Sequence, residues 1–204
     1  MKSVRVGEQQ ITPSKIVCVG RNYIEHIREL DNAVPEQMVV FNKPNSAIGE
    51  RLCSRLDETL HYEAEICFMV KAGQLYAVGV GLDLTKRQLQ SKLKKQGLPW
   101  ERAKAFDGSA MLSRFMPLND LDINSLQIEL FINCVRVQAG GVKQMMYPPA
   151  TILEELTHFT SLYDGDIIMT GTPQGVGEVH AGDLFLARLK SDDKTLLEIE
   201  WQAS

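Results

Sequence analysis

The chain has 204 residues, of which 44% are hydrophobic and 24% charged, an ordinary composition for a globular protein with a buried core. Its 22 basic and 26 acidic residues give a net charge of −4 and form no basic stripe, which argues against a nucleic-acid partner. No apolar run reaches the length of a membrane span and the N-terminus has no apolar signal core, so we expect a cytoplasmic protein. The four cysteines have no paired spacing, which predicts neither disulfides nor a zinc site.

The first sixty residues predict short strands around one helix. Strand-like apolar runs occupy residues 4–6, 16–20 and 38–44. Between the last two, residues 21–30 read RNYIEHIREL, and the helical spacing of its isoleucines and leucine predicts a short helix. The DNAVP stretch that follows is a connection that would let this helix act as a lid.

The next stretch predicts a hairpin that carries three carboxylates. Residues 61–70, HYEAEICFMV, alternate like a strand and place Glu63 and Glu65 side by side on one face. The turn signal KAGQ separates this strand from LYAVGVGLDL at residues 75–84, which we expect to be its partner. The partner is apolar until Asp83, so the pairing would bring a third carboxylate toward the two glutamates.

The remaining chain mixes helices and strands. Helices are predicted over residues 85–96 and 150–162, and a strand with an internal turn is predicted over 125–137. Short strands outnumber helices and the two do not alternate regularly, which predicts a mixed, β-rich α+β fold. We expect one domain over residues 1–204, in which residues 1–15 form a short N-terminal β appendage.

The paired glutamates leave three explanations open. Same-face neighbours on a strand lie about 6.5–7 Å apart, where like charges repel by about 2–3 kcal/mol at an effective dielectric of about 20. Either the face is solvated, or basic residues neutralise it, or a divalent cation lies between the carboxylates. The same face continues as Cys67 and Met69, which argues against a wet surface. Glu63, Glu65 and Asp83, with no histidine or cysteine beside them, suit a hard cation such as Mg²⁺, Mn²⁺ or Ca²⁺.

Three further candidates each have a plainer alternative. His26 and Glu29 share a helix face and could activate water, although such a pair is more often a surface ion pair. Lys104 precedes an apolar strand, where a lysine is commonly exposed, but it could also hold a substrate carboxylate or an enolate. The loop GTPQGVG, residues 171–177, is no phosphate or dinucleotide loop; Thr172 could offer its hydroxyl and amide to an anion, or the loop is simply a turn.

Taken together, these stretches resemble the fumarylacetoacetate hydrolase family, and most closely its small single-domain members of the acylpyruvate hydrolase and oxaloacetate decarboxylase type. The matching strings are CVGRNYIEH, HYEAE, GLDLTKRQLQ, GLPWERAKAFDGSA and DGDIIMTGTPQGVG, which occur in the family's order from about residue 16 to about residue 188. The stretch between Glu65 and Asp83 is shorter than the family usually has, and Val142 stands where many members carry a threonine.

The resemblance implies a β-roll of mixed sheets, a homodimer, and one Mg²⁺ or Mn²⁺ per active site, with Ca²⁺ as a non-catalytic occupant. It also implies roles for ten residues: the metal ligands Glu63, Glu65 and Asp83, the water-activating dyad His26 and Glu29 of a lid helix, the active-site Lys104, and the substrate-binding positions Arg21, Arg87, Gln90 and Thr172, with Lys104 contacting substrate as well.

These roles predict an enzyme that cleaves a carbon–carbon bond in a 2-oxo acid, as an acylpyruvate hydrolase, an oxaloacetate decarboxylase, or both. A related alternative is an isomerase, decarboxylase or hydratase of unsaturated 2-oxo dioic acids in aromatic catabolism, which would use the same electron sink. Two rivals belong to other classes: a cation-binding protein without catalysis, and a plain β-rich protein with a solvated acidic strand.

Overall fold

The computed structural model describes residues 1–204 and contains 16 strands, four α-helices and three short 3-10 helices. The strands are β1 (Val4–Val6), β2 (Gln9–Ile11), β3 (Lys15–Gly20), β4 (Val39–Pro44), β5 (Leu60–Tyr62), β6 (Ala64–Lys71), β7 (Gln74–Asp83), β8 (Thr85–Lys86), β9 (Ala110–Leu112), β10 (Met116–Pro117), β11 (Leu126–Ile132), β12 (Val135–Gly141), β13 (Ile167–Met169), β14 (Gly177–Glu178), β15 (Leu184–Ser191) and β16 (Lys194–Gln202). The helices are α1 (Ile24–Glu29), α2 (Arg87–Lys95), α3 (Glu101–Lys104) and α4 (Pro149–Thr157).

The strands form four sheets. The largest has seven strands in the order β10-β7-β6-β13-β3-β4, with β9 also paired to β7, and only β13 and β3 in it are parallel. A four-stranded sheet runs β12-β11-β15-β16, a three-stranded sheet runs β14-β5-β8, and β1 and β2 form a separate pair. The mixed, β-rich fold class predicted from the sequence is therefore confirmed. None of the helices has both the length and the apolar character that crossing a membrane requires.

Strand β6 is buried on both faces, which explains why its sequence is almost continuously apolar. Ile66 and Phe68 face the main core, which lies between the seven-stranded and four-stranded sheets. Cys67 and Met69 alternate with them and face a second core on the opposite side. Helix α4 covers a third, smaller cluster over β3 and β13. The glutamates that share a face with Cys67 therefore point into the protein.

Three elements differ from the sequence prediction. The strand expected over residues 61–70 is divided at Glu63, because β5 pairs with β8 and β14 whereas β6 pairs with β7 and β13. Helix α1 begins later than expected, since Arg21 has a φ of +56° that no helix accommodates. Helix α4 ends at Thr157 instead of continuing to residue 162.

The short stretch between Glu65 and Asp83 is a closed hairpin. Strands β6 and β7 pair from Ala64 to Lys71 and are joined through Ala72 and Gly73, whose φ angles of +49° and +73° suit a tight hairpin turn. The chain thus makes the connection with two residues.

A buried aspartate ties together the two parallel strands that lead to the candidate site. Asp166 is 0% exposed and accepts hydrogen bonds from the Ser14 amide (3.0 Å), the Ser14 hydroxyl (2.6 Å) and the Lys15 amide (3.2 Å), all before or at the start of β3. Its other oxygen accepts from the Tyr163 amide at 3.0 Å. One carboxylate therefore satisfies three backbone donors from two distant segments.

We expect Asp166→Ala to lower the free energy of unfolding by about 3–5 kcal/mol, because it leaves three backbone amides without an acceptor. For a chain of this length that loss corresponds to a fall in Tm of about 10 °C, measurable by thermal unfolding. Asp164→Ala is the matched control, since the exposed Asp164 accepts only the Ala72 amide, and it should lose about 1 kcal/mol. Equal losses in both variants would contradict this account.

Candidate active site

Three buried carboxylates converge on one face of the β6–β7 hairpin. The Asp83 amide donates to the Glu63 carbonyl at 2.8 Å, which makes these residues direct cross-strand neighbours. Glu65 lies opposite Gly81, two residues from Asp83, so its side chain points the same way. Ligand oxygens of Glu63, Glu65 and Asp83 lie within 4.8 Å of one another, and all three residues are buried. The predicted convergence of these three residues is therefore present in the structure.

Lys104 bridges two of these carboxylates. Its Nζ donates to Glu63 Oε2 at 2.8 Å, to Asp83 Oδ2 at 2.7 Å and to the Thr85 hydroxyl at 2.6 Å, and the residue is 2% exposed. The alternative of an exposed lysine is therefore wrong, because α3 places the side chain against β7 and β8. The guanidinium of Arg87, the first residue of α2, donates to Glu63 Oε1.

A second lysine, Lys43 of β4, also brings its charge to the carboxylate cluster. It was not among the predicted residues. It is 0% exposed, and its Nζ lies 2.9 Å from Asp83 Oδ1 and donates to the carbonyl of Lys104. The contact with Asp83 does not have hydrogen-bond geometry, so Oδ1 has no hydrogen-bond donor. The signal in the sequence was the alternation of MVVFNKP, which puts Lys43 on the inward face with Phe41, where an unpaired lysine is rare.

Glu65 is the carboxylate without a cation. Its Oε2 accepts a 2.7 Å hydrogen bond from the Gly171 amide, but no lysine or arginine forms an ion pair with it. Burial, then the charges of Asp83 and Glu63, raise the pKa of Glu65 well above its ordinary value. Gly171 has a φ of +97°, and a Cβ there would lie 2.8 Å from Asn22 Cβ, so only glycine fits this approach to the carboxylate.

The charges of Glu63 and Lys104 stabilise each other. Burial opposes the ionisation of Glu63, but Lys104 and Arg87 outweigh it and hold the pKa of Glu63 well below its usual range. Burial likewise opposes the charge of Lys104, whereas Asp83 and Glu63 raise the pKa of that ammonium. Glu63 and Lys104 are therefore a charged pair at neutral pH.

This cluster fits a divalent cation on two observations. Asp83 Oδ1 is buried and has the Lys43 ammonium beside it but no hydrogen-bond donor, and Glu65 has no cationic partner at all. The donors that converge are oxygens only, the set that Mg²⁺ and Mn²⁺ prefer over zinc or copper. Glu63, Glu65 and Asp83 are the residues that could hold the ion.

His26 and Glu29 form the dyad expected on α1. Nδ1 of His26 lies 3.1 Å from Glu29 Oε2, and because the carboxylate only accepts, Nδ1 carries a proton; in the neutral imidazole the lone pair is then on Nε2. The other oxygen of Glu29 accepts from the Gly175 amide at 2.9 Å, which ties α1 to the loop after β13. His26 is buried and lines the same pocket as Glu63 and Lys104.

That pocket is narrow, with a volume of about 30 Å³, room for one or two water molecules. Its lining includes most of the predicted residues: Arg21, His26, Glu63, Arg87, Gln90 and Lys104. On the face of α2, Arg87 Nη1 donates to Gln90 Oε1 at 2.8 Å. The Nε of Arg87 is buried without an acceptor, which leaves a free donor for a substrate oxygen.

Two predicted substrate-binding residues, Thr172 and Arg21, contact other groups of the protein. The hydroxyl of Thr172 donates to the Ala64 carbonyl at 2.9 Å and accepts from Gln138 at 2.9 Å, so it also holds the loop to β6. Arg21 is half-buried at the pocket edge, where its guanidinium lies 5.9 Å from the centre of the Trp100 ring. The contact of either residue with substrate stays a prediction.

Comparison with known proteins agrees with this geometry. Residues 15–199 match the family model described as fumarylacetoacetate (FAA) hydrolase C-terminal. The chain is 38% identical over 187 residues to the oxaloacetate tautomerase YcgM of Escherichia coli, covering 83% of this chain and 85% of the relative. It is 36% identical over 184 residues to the mitochondrial oxaloacetate tautomerase FAHD1 of Bos taurus, covering 82% and 83%.

A solved structure extends the likeness to the whole fold. The fumarylpyruvate hydrolase of Pseudomonas aeruginosa, in complex with Mn²⁺ and pyruvate, superposes with a TM-score of 0.89 at 27% identity, covering 99% of this chain and 95% of the other. The resemblance identified from the sequence strings is thereby confirmed, and the chain belongs to the fumarylacetoacetate hydrolase family.

Proposed function

We propose that this protein is a divalent-cation-dependent enzyme of 2-oxo acids that interconverts the keto and enol forms of oxaloacetate. The observation that carries the proposal is the meeting of an oxygen-only carboxylate cluster and a His26–Glu29 dyad at one narrow pocket. The names of the relatives favour oxaloacetate, and the Mn²⁺ and pyruvate reported for the Pseudomonas hydrolase favour a 2-oxo acid with a metal. Tautomerisation is an isomerase reaction, and it differs both from the carbon–carbon cleavage expected from the sequence and from the alternative reactions of unsaturated 2-oxo dioic acids.

Glu63, Glu65 and Asp83 would hold Mg²⁺ or Mn²⁺. When bound, the cation supplies Lewis acidity toward the 2-oxo group of a substrate, which stabilises the charge of an enolate. The free donor of Arg87 and the amide of Gln90 lie on the α2 side of the pocket and bind the adjacent carboxylate. These groups fix the plane of the 2-oxo acid before any proton moves.

His26 carries the proton transfer. With Nδ1 held by Glu29, its Nε2 takes a proton from C3 of the keto form. The C–H electron pair becomes the C2–C3 double bond, and the negative charge moves to the 2-oxo oxygen, which takes a proton from solvent to give the enol. His26 then releases the C3 proton to solvent, which restores its Nε2 lone pair and balances the step. Lys104, whose pKa is raised, stays charged and stabilises that oxygen electrostatically.

Hydrolysis of an acylpyruvate is the second candidate, because the geometry of the dyad suits it as well. A histidine whose Nδ1 is held by a carboxylate can equally activate water to attack the distal carbonyl, with a pyruvate enolate leaving. Decarboxylation of oxaloacetate needs the same enolate stabilisation but no attacking water. The dyad therefore separates the reactions: hydrolysis and tautomerisation require His26, and decarboxylation does not.

The pocket must open to admit any of these substrates, since about 30 Å³ holds no 2-oxo acid. In this proposal helix α1 is the part that moves. Its movement would break the hydrogen bond between the Gly175 amide and Glu29, which joins the helix to the loop beyond β13. A single catalytic domain over residues 1–204 and a homodimer belong to the same proposal and rest on the family resemblance. The cytoplasmic location stays a prediction from the sequence, since relatives such as FAHD1 of Bos taurus are mitochondrial.

We expect His26→Ala to slow the enzyme-catalysed interconversion of enol and keto oxaloacetate by about a hundredfold, the usual contribution of a general base. The assay follows the loss of enol ultraviolet absorbance with Mg²⁺ or Mn²⁺ present. Chelator should abolish the wild-type rate, and pyruvate release from acetylpyruvate should fall with the tautomerase rate.

His158→Ala is the matched control, because His158 is exposed and pairs only with Glu155 of its own helix. If His26→Ala keeps the wild-type tautomerisation rate, another residue transfers the proton. A wild-type protein that turns over neither oxaloacetate nor acetylpyruvate with any divalent ion would overturn the proposed function.

We expect Glu65→Gln to raise the Tm of the metal-free protein at neutral pH and to abolish the Tm increase that Mn²⁺ produces in the wild type. The pKa of Glu65 is raised on folding, so the wild type loses stability as pH rises above the ordinary carboxyl pKa of about 4.3. The gain from Glu65→Gln should therefore vanish near pH 4 and grow toward pH 8.

Glu200→Gln makes the same charge change at an exposed position. It should alter neither the Tm of the metal-free protein nor the Tm increase with Mn²⁺. Differential scanning calorimetry with and without Mn²⁺ measures both. If Glu65→Gln keeps the full response to Mn²⁺, the ion binds elsewhere and the cluster is not its site.

A further inference from the structure

The pocket contains more positive charge than one carboxylate group of a substrate needs. Four cationic side chains line it, those of Arg21, Arg87, Lys94 and Lys104, against the single carboxylate of Glu63. Glu63 is already shared by Arg87 and Lys104. Arg21 and Lys94 form no ion pair with any carboxylate of the protein.

Lys94 lies on the same face of α2 as the residues that bind the 2-oxo acid in our proposal. Arg87, Gln90 and Lys94 are spaced three and four residues apart, which stacks their side chains along one face of the helix. Lys94 is about 6 Å beyond Gln90 along the axis, one helical turn. Lys94 lines the same pocket as Arg87 and Gln90, which gives that pocket a second cation one helical turn beyond the position of the first carboxylate.

The ammonium of Lys94 donates to Asn32 Oδ1 at 2.5 Å, a neutral acceptor from the segment after α1. Burial, followed by the charges of Arg21 and Arg87, lowers the pKa of Lys94, and the charge of Glu63 partly opposes this shift. The amide oxygen of Asn32 occupies the position that an anionic oxygen would fill with greater stabilisation.

We propose that Lys94, supported by Arg21, binds a second carboxylate of the substrate, so that the pocket selects dicarboxylic over monocarboxylic 2-oxo acids. The inference rests on the proposed function for the position of the first carboxylate. Lys94, one helical turn from Gln90, binds the distal end of the substrate. On opening of the α1 segment, the Lys94 ammonium exchanges Asn32 for the incoming carboxylate.

Binding of L-malate and L-lactate to the Mg²⁺-loaded protein tests the inference directly. These probes do not enolise, and they differ mainly in the distal carboxylate of the four-carbon acid. Lys94→Met should lower the malate-to-lactate affinity ratio by about tenfold or more, the usual loss for a hydrogen bond to a charged group. For oxaloacetate, the loss should appear in KM more than in kcat, and Lys94→Arg should restore much of it.

Two variants separate this role from a structural one. Lys95→Met removes the same charge from the exposed neighbouring residue and should leave the ratio unchanged. Asn32→Ala removes the competing acceptor and should leave the ratio at or above that of the wild type. Equal weakening of both probes in Lys94→Met, or a fall in the ratio in Lys95→Met, would overturn the inference.

The failure of the subsite and the failure of the proposed function are distinguishable. If the protein does not turn over oxaloacetate but still discriminates malate from lactate through Lys94, the subsite stands and the reaction assignment fails. If oxaloacetate is turned over and Lys94→Met leaves the malate-to-lactate ratio intact, the reaction stands and the subsite is wrong.

Discussion

The mutual repulsion of three buried carboxylates governs the arrangement around this site. At 4.8 Å and an effective dielectric of about 20, two such charges repel by about 3 kcal/mol, and burial adds to that. Lys43 of β4, Lys104 of α3 and Arg87 of α2 each bring a positive charge to Glu63 or Asp83. Three separate elements of the fold therefore depend on the same cluster, and Glu65 alone is left for a cation from solvent.

The cations that the fold supplies neutralise Glu63 and Asp83 but not Glu65, and this difference bears on the chemistry of the site. Lys104 occupies the space between Glu63 and Asp83, where it neutralises both. A divalent cation that binds the three carboxylates would free Lys104 and Arg87 to turn toward a substrate, since both would lose part of their attraction to Glu63.

Local patterns in the sequence predicted the parts of the site that lie on one element or one hairpin. Alternation put Glu63 and Glu65 on one face, the hairpin signal brought in Asp83, and helical spacing paired His26 with Glu29. Lys43 was not predicted, and Gly171 was placed only in the GTPQGVG loop without its contact to Glu65. These residues reach the cluster from β4 and from the end of β13, and single-strand patterns contain no information on such distant pairing. The break at Glu63 had the same cause, since it depends on which sheet each half of the segment joins.

The most direct measurement is a crystal structure of the protein soaked with Mn²⁺, with the ion located by its anomalous scattering. We predict one ion bound by oxygens of Glu63, Glu65 and Asp83, with Lys104 Nζ displaced from its position between Glu63 and Asp83. A cluster that keeps the Lys104 bridge at saturating Mn²⁺, with no ion at the three carboxylates, would contradict the account that these charges are buried to hold a cation.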